Sequence, residues 1–544
     1  MSTTAELVGH TLAGLGVDHA FGVVGSGNFV VTNALRAGGV PFVAARHECG
    51  AATMADAYAR MSDRPAVVTT HQGCGLTNAL TGITEAAKSR TPLLVLTADT
   101  PGAAVRNNFR IDQDAAVAAV GAVPERIHSP GSAVADTVRA YRTAVHERRT
   151  VVLSMPLDVQ AAPAEPAQPA PAAAAPAAPA TVRPAADAAA ELAGALRAAD
   201  RPVFIAGRGA RGAGPELRLL AEATGALLAT SAVANGLFAG DVWSLGISGG
   251  FATPLAAELI GNADLVVGWG CALNQWTTRH GRLIGPDARL AQVDIEQTAL
   301  GAHRPVHLGV LGDVAETARD VLSLLGSTQD GYRTAEVRAR IGEQGRWRYV
   351  PVTDESTVDR IDPRVLSRRL DELLPAERIV SVDSGNFMGY PSAYLEVPDQ
   401  YGFCFTQAYQ SIGLGLATAI GAALARPDRL PVAALGDGGC LMSIAELDTV
   451  VRLGLPMVIV VYNDEAYGAE VHHFTGQDHA TVRFPETDIA AIGTGFGCAG
   501  LTVRTAADLD GVTAWLDSPR DRPLLVDAKI TSDGGSWWLA EAFR

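Results

Sequence analysis

Two acidic strand ends stand out in this chain of 544 residues. The stretch VVYNDEAYG (460–468) climbs through an apolar run to Tyr462 and breaks at Asn463-Asp464. Upstream, PVAAL runs into Gly436-Asp437-Gly438-Gly439. An Asn-Asp pair alone starts turns, and Gly-Asp-Gly alone is a common strand end. Their separation makes them informative: Asp464 follows Asp437 by 27 residues, the length of one helix plus one strand. If those strands are neighbours, a βαβ unit returns both carboxylates to one sheet edge. The flanking glycines let the backbone approach a bound group closely. Such a pair could hold Mg2+, which takes one or two carboxylates, a carbonyl, water and phosphate oxygens.

Other chemistry-bearing residues lie far away in the chain. Glu48, in FVAARHECGAATMADAYAR, ends an apolar run and opens a helix rich in small residues. On its own it is a first-turn acid favoured by the helix dipole. FGVVGSGN (21–28) turns at Gly25-Ser26-Gly27-Asn28, and TTHQGCGLTNALTG (69–82) ends a strand at His71 before Gly73 and Gly75. Ser384-Gly385-Asn386 follows RIVSVD, and QAYQSIGLGLATAIGAAL carries Gln410 and Ile412. His472 and His473, just after the acidic stretch, could face a substrate or solvent, as could His280 in WTTRHGR.

The elements that must position these residues repeat a simple pattern. Short apolar runs alternate with longer stretches of helical periodicity, such as Ala51, Met54, Ala55 and Tyr58. FGVV, PFVAA, AVVTT and PLLVLTA are expected strands of a first block; PVFIAG, ALLATS, DLVVGWG and RLAQVDI of a second; RIVSVD, PVAALGD, PMVIVVYN and PLLVDAKI of a third. A single helix is expected over LMSIAELDTVVRLG, 441–454. Continuous apolar strands separated by helices imply parallel sheets covered on both faces. The expected fold is α/β, with three consecutive doubly wound parallel-sheet domains. A Pro/Ala tract, AAPAEPAQPAPAAAAPAAPA, punctuates the chain as an extended linker. The expected boundaries are 1–160 for the first domain, 161–183 for the linker, 184–345 for the middle domain and 346–544 for the last.

Composition narrows the class. Hydrophobic residues are 48% and charged residues 19%, as in a compact globular protein, and the net charge of -15 argues against a nucleic-acid partner. Six cysteines are scattered without metal-ligand spacing and read as reduced thiols of a cytoplasmic protein. No apolar stretch reaches the roughly 18–20 residues of a membrane span, and the N-terminus lacks a basic leader.

The stretch GDGGCLMSIAELDTVVRLGLPMVIVVYND resembles the motif of thiamin-diphosphate-dependent enzymes of the acetolactate synthase, pyruvate decarboxylase and benzoylformate decarboxylase type. RHECGAATMADAYAR resembles the same family's first-domain segment nearly throughout. The resemblance implies a pyrimidine-binding domain, a middle domain and a diphosphate-binding domain. It implies Mg2+ held by Asp437, Asp464 and the carbonyl of Ala466, with Asp464 replacing the commoner Asn and Asn463 as the structural member of the pair. It places Gly385, Asn386, Gln410, Gly436, Gly438, Gly439, Tyr467 and Gly468 around the coenzyme, and Ile412 where a bulky residue bends it. Glu48 would bind the pyrimidine and activate it, His71 would move protons, and Ser26 would place the substrate carboxylate. Ser and His at those two places resemble benzoylformate decarboxylase. The implied reaction is decarboxylation of a 2-oxo acid to an enamine, which is protonated to an aldehyde or joined to a second carbonyl to give a 2-hydroxyketone. Acetolactate synthesis is the alternative. The family builds its sites between subunits, which implies a homodimer or homotetramer.

A rival reading rests on VFIAGRGARGAG, where Gly207, Gly209 and Gly212 match a dinucleotide fingerprint. The next strand ends in Thr230-Ser231, with no acid for a ribose. An NAD- or FAD-binding oxidoreductase would leave Glu48 and the Asp437–Asp464 spacing unexplained, and no required nucleotide is expected in the middle domain.

Overall fold

The computed structural model describes residues 2–164, 181–532 and 537–539, so most of the Pro/Ala tract lies outside the described residues. Eighteen strands form three six-stranded sheets in which every strand pair is parallel. In chain order they are β1 (His19–Gly22), β2 (Phe42–Ala44), β3 (Ala66–Thr70), β4 (Leu93–Asp99), β5 (Val123–Arg126) and β6 (Thr150–Pro156) in the first sheet. The second holds β7 (Pro202–Ala206), β8 (Leu227–Thr230), β9 (Ser244–Ile247), β10 (Leu265–Trp269), β11 (Arg289–Asp294) and β12 (Leu308–Leu311). The third holds β13 (Arg378–Val382), β14 (Phe403–Phe405), β15 (Leu430–Gly436), β16 (Val458–Asn463), β17 (Ala499–Val503) and β18 (Leu524–Lys529).

The first and third sheets share one winding: β2-β1-β3-β4-β6-β5 and β14-β13-β15-β16-β18-β17. The middle sheet, β12-β11-β10-β7-β8-β9, has the order of a dinucleotide-binding fold. In each case the strand order reverses at a crevice beyond the strand C-termini. In the first sheet that crevice lies between β1 and β3, and in the third between β13 and β15.

All twelve expected strands are present, with ends shifted by a residue or two. Six more were not anticipated. Five of them (β5, β9, β12, β14, β17) are sheet edges, where one face is open and the apolar run that marks a buried strand is short or broken. The sixth, β6, is interior and buried throughout, and its run TVVLSMP was legible. The single helix expected over 441–454 is corrected. A short helix starts at the acid itself (Asp437–Met442), a 3-10 turn follows (Ile444–Glu446), and a second helix runs Leu447–Arg452. The break has a use, because it turns the Glu446 carboxylate onto the backbone amides of Arg46 and His47, 3.1 and 3.0 Å away.

That contact belongs to a wide junction between the first and third sheets. The helix Glu48–Ser62 lies along Gly415–Ala425, and one apolar cluster runs through both, including Met54, Ala55, Leu416 and Ile420. Small residues permit the approach: a Cβ on Gly421 would stand 2.1 Å from the Met54 carbonyl oxygen. Near the first block's end, Ala162 and Ala164 bond back to Thr4 and Ser2. Among the described residues no helix is long and apolar enough to cross a membrane.

The junction predicts opposite outcomes for two glycines. Gly421→Ala drives a methyl into backbone and should cost about 1–3 kcal/mol, lowering the thermal midpoint. Gly342→Ala, on a helix with open space around it, should raise stability by about 0.5–1 kcal/mol. Differential scanning calorimetry of the two variants checks both signs.

Candidate active site

The third sheet brings the two acids together. β15 and β16 are neighbours, with Gly436 level with Tyr462, so Asp437 and Asp464 leave adjacent strand ends on the same side. Both face a cavity of about 270 Å³. Burial pushes both carboxyls above the usual range, and the Asp464 charge adds to the shift of Asp437. Such a pair is unfavourable without a cation. Among the described residues no group of three or more His, Cys, Asp or Glu side chains is arranged to hold a metal. Two carboxylates and a carbonyl leave positions for water and phosphate oxygens, which suits Mg2+ better than a metal that needs a full protein shell.

The two members of the Asn-Asp pair point to different places. Asn463 is buried, and its Nδ2 donates to Asp527 Oδ1 at 2.8 Å. The other Asp527 oxygen accepts from the Ile489 amide and pairs with Lys529 Nζ at 3.1 Å. Asn463 therefore ties the loop to β18, while Asp464 lines the cavity. Glu465 takes a positive φ of 56° and is held by Arg360 at 2.8 Å. A short bridge to 482–484 uses the Glu465 carbonyl and the Tyr467 amide, not the Ala466 carbonyl.

The third-domain positions expected to hold the coenzyme and metal all line this cavity: Gly385, Asn386, Gln410, Ile412, Gly436, Asp437, Gly438, Gly439, Asp464, Ala466, Tyr467 and Gly468. Three of the glycines have a visible reason. Gly385 has φ 138°, open to glycine alone. A Cβ on Gly468 would reach Asp464 Oδ2 at 2.5 Å and Asn386 Nδ2 at 3.0 Å, so its absence lets the two sides close. A Cβ on Gly439 would meet Asp383 Oδ2 at 2.2 Å. Asp383 is buried beneath the site, and burial pushes its carboxyl up to about 6 against the pull of several backbone amides. Those of Ser384, Gly413 and Leu414 donate to it at 2.8, 3.0 and 3.2 Å, which fixes the loop of Ile412 against the Gly-Asp-Gly turn.

Sequence reasoning missed Glu470 and Leu539, which also line the cavity. Glu470 lies three residues after Tyr467 and could have been flagged as an acid one helical turn on. Leu539 reaches the cavity from the far end of the chain and carried no local signal. Trp276 enters from the middle domain, whereas His280, His472 and His473 are not among the lining residues.

Glu48, Ser26 and His71 are not among them either. They gather at the strand ends of the first sheet. Ser26 Oγ lies 3.4 Å from His71 Nε2. His71 Nδ1 is 3.0 Å from the Gln72 carbonyl, so Nδ1 carries the proton and Nε2 faces the serine as an acceptor. Glu48, half-buried at the start of the helix that His47 caps through the Cys49 amide, accepts from Asn78 Nδ2 at 3.1 Å. A Cβ on Gly75 would sit 3.1 Å from His71 Cβ and 3.5 Å from Glu48 Oε1, so the two side chains flank that glycine.

The first and third sheets thus carry separate polar clusters of the same winding, one with an acid and a histidine, the other with a carboxylate pair and glycine turns. Comparison with known proteins shows the family. Profiles described as the N-terminal thiamine pyrophosphate (TPP) binding domain, central domain and C-terminal TPP binding domain of thiamine pyrophosphate enzymes match residues 2–118, 189–321 and 383–528. A probable 2-ketoarginine decarboxylase of Pseudomonas aeruginosa is 32% identical, over 93% of this chain and 90% of that one. The chain belongs to the thiamine-pyrophosphate enzyme family. A sulfoacetaldehyde acetyltransferase of Alcaligenes xylosoxydans xylosoxydans is 28% identical over 86% of this chain and 82% of that one. Acetolactate synthase 2, chloroplastic, of Brassica napus is 26% identical over 96% and 84%. The residues present fit the coenzyme's charged end: a buried carboxylate pair in need of a cation, and glycine turns where a Cβ would collide.

In this thiamine-pyrophosphate enzyme the middle-domain fingerprint is packed against protein. The Gly207 and Gly209 amides donate to the carbonyls of Trp269 and Gly270 at 2.8 and 3.1 Å. Arg208 reaches the Ser89 carbonyl, and Arg211 the Arg60 carbonyl at 2.6 Å.

The carboxylate pair predicts a pH effect in the metal-free protein. Both carboxyls are raised, so the folded state binds protons more readily than the unfolded one and loses stability as pH rises through that range. Asp464→Asn should therefore raise the thermal midpoint at about pH 8, and the gain should shrink toward about pH 5. Melting curves in chelator at the two pH values check it.

Proposed function

We propose that this thiamine-pyrophosphate enzyme is a Mg2+-dependent 2-oxo acid decarboxylase and carboligase. The observation that carries the reading is the Ser26–His71 pair beside Glu48, a proton-handling set at the switch point of the first sheet. Asp437, Asp464 and the Ala466 carbonyl would hold Mg2+. Gly385, Asn386 and the glycines around Asp437 would face the diphosphate, and Ile412 would support the bent coenzyme. Bound coenzyme supplies an electron sink for the pair left behind as CO2 departs. Glu48 holds a proton against the aminopyrimidine, Ser26 orients the substrate carboxylate, and His71 Nε2 takes and returns a proton at the reacting oxygen or carbon. Protonation gives an aldehyde; a second carbonyl in its place gives a 2-hydroxyketone.

The wall of the cavity favours one class of donor. Among the described residues that line it, Glu470 is the acid left once Asp437 and Asp464 are committed to the metal, and none is Lys, Arg or His. A 2-oxo acid with a cationic end matches it, in keeping with the name of the Pseudomonas relative.

The complete site requires two chains on this reading, because Glu48, Ser26 and His71 do not line the cavity of their own chain. Exposed apolar side chains border both clusters, Val24, Phe29 and Val30 beside Ser26, and Leu441, Met442 and Phe484 near Asp437. Their burial against a second copy would supply the contact, giving a homodimer or a tetramer built from it.

Three experiments test the proposal. With coenzyme and Mg2+ bound, a panel of 2-oxo acids that includes a guanidino member should yield CO2. Glu48→Gln should lower turnover by about 10²–10⁴-fold while calorimetry shows coenzyme still bound; full activity would remove Glu48 from its role. Mixing inactive Glu48→Gln and Asp437→Asn chains should restore about a quarter of wild-type activity, since one site of the mixed dimer is intact. No recovery after subunit exchange would mean that each site lies within one chain.

A further inference from the structure

The cavity has a wall that comes from the end of the chain. Leu539 lines it and is nearly buried, although the last strand of the sheet closed at Lys529. Its neighbour Trp538 is 1% exposed and is held by several independent contacts. The indole Nε1 donates to the Asn386 carbonyl at 3.0 Å, on the loop that lines the cavity. The ring packs edge-on against Tyr390 at 4.8 Å and against Phe251 of the middle domain at 6.3 Å. Trp537 adds a second anchor, with Nε1 donating to the Gly250 carbonyl at 3.0 Å.

The seat is shaped for this side chain. A Cβ on Gly389 would stand 2.2 Å from the Trp538 ring, so any other residue there would expel the indole. An aromatic residue wedged over a glycine, with its one donor satisfied by a cavity-loop carbonyl, fixes the residue that follows. Leu539 then presents an apolar side chain to the cavity that Trp276 and Met388 also line.

We propose that Leu539 is a specificity-determining residue of the candidate active site and that Trp538 is the positioning residue that holds it there. Leu539 limits the size of the acyl group that a 2-oxo acid brings into the cavity. The inference rests on the reading of the site as one for 2-oxo acids and names the residue that sorts them.

Acylphosphonates test it, because they mimic 2-oxo acids but cannot lose CO2. Calorimetry on the full chain loaded with thiamin diphosphate and Mg2+ would compare methyl acetylphosphonate with methyl benzoylphosphonate. Leu539→Ala should shift the affinity ratio toward the benzoyl probe by roughly tenfold, and Leu539→Phe should shift it the other way. Trp538→Phe, which keeps the ring but loses the hydrogen bond, should move the ratio in the direction of Leu539→Ala by less. An unchanged ratio in both Leu539 variants overturns the proposal, as does loss of coenzyme binding in them, which would make Leu539 part of the coenzyme seat. If wild-type protein binds coenzyme but neither probe, this inference falls and the coenzyme reading stands. If it binds no coenzyme, both fall.

Discussion

A buried guanidinium holds the molecule together. Arg60 reaches Asp56 and Glu85 at 2.5 and 2.9 Å, and all three side chains are within a few per cent of complete burial. Burying these groups would be costly without further partners. The balance comes from another part of the fold: the amides of Ala408 and Tyr409 donate to Glu85 at 3.0 and 2.7 Å. Arg60 also donates to the Phe405 carbonyl at 3.0 Å, and Arg211 of the middle domain caps the Arg60 carbonyl. Three domains meet at this one network.

Its consequence is geometric. The helix that carries Asp56 and Arg60 begins at Glu48, and the segment that Glu85 grips runs straight into Gln410 and Ile412. One end of the helix therefore presents the acid of the first cluster, while the other anchors the loop that borders the second. Asp383 clamps that loop from the other side, beneath the Gly-Asp-Gly turn. The same logic appears behind the carboxylate pair, where Asp527 and Lys529 hold Asn463 so that only Asp464 is left to the cavity. In each case a buried, fully paired polar group fixes a loop whose outer residues are free for a ligand.

The middle domain engages part of its glycine fingerprint with protein groups. Gly207 and Gly209 allow the β7 and β10 connections to approach closely, and their amides are taken by neighbouring carbonyls. The two arginines of the same loop extend into the first domain.

The sequence by itself determined the layered α/β architecture, because continuous apolar runs alternate with helical periods over the whole chain. It also determined the third-sheet cluster, since those residues fall at the ends of strands one βα unit apart and local chain geometry brings them together. Five edge strands escaped because their apolar runs are short or broken by exposed positions, as in β12 and β17. The broken helix after Asp437 escaped because its cause, Glu446 on the Arg46 and His47 amides, joins positions about four hundred residues apart. Leu539 reached the cavity unannounced for the same reason: nothing near it in the chain signals the glycine and carbonyl that seat Trp538. Contacts of that span are set only when the domains pack, so tertiary structure alone decided which distant side chains wall the cavity.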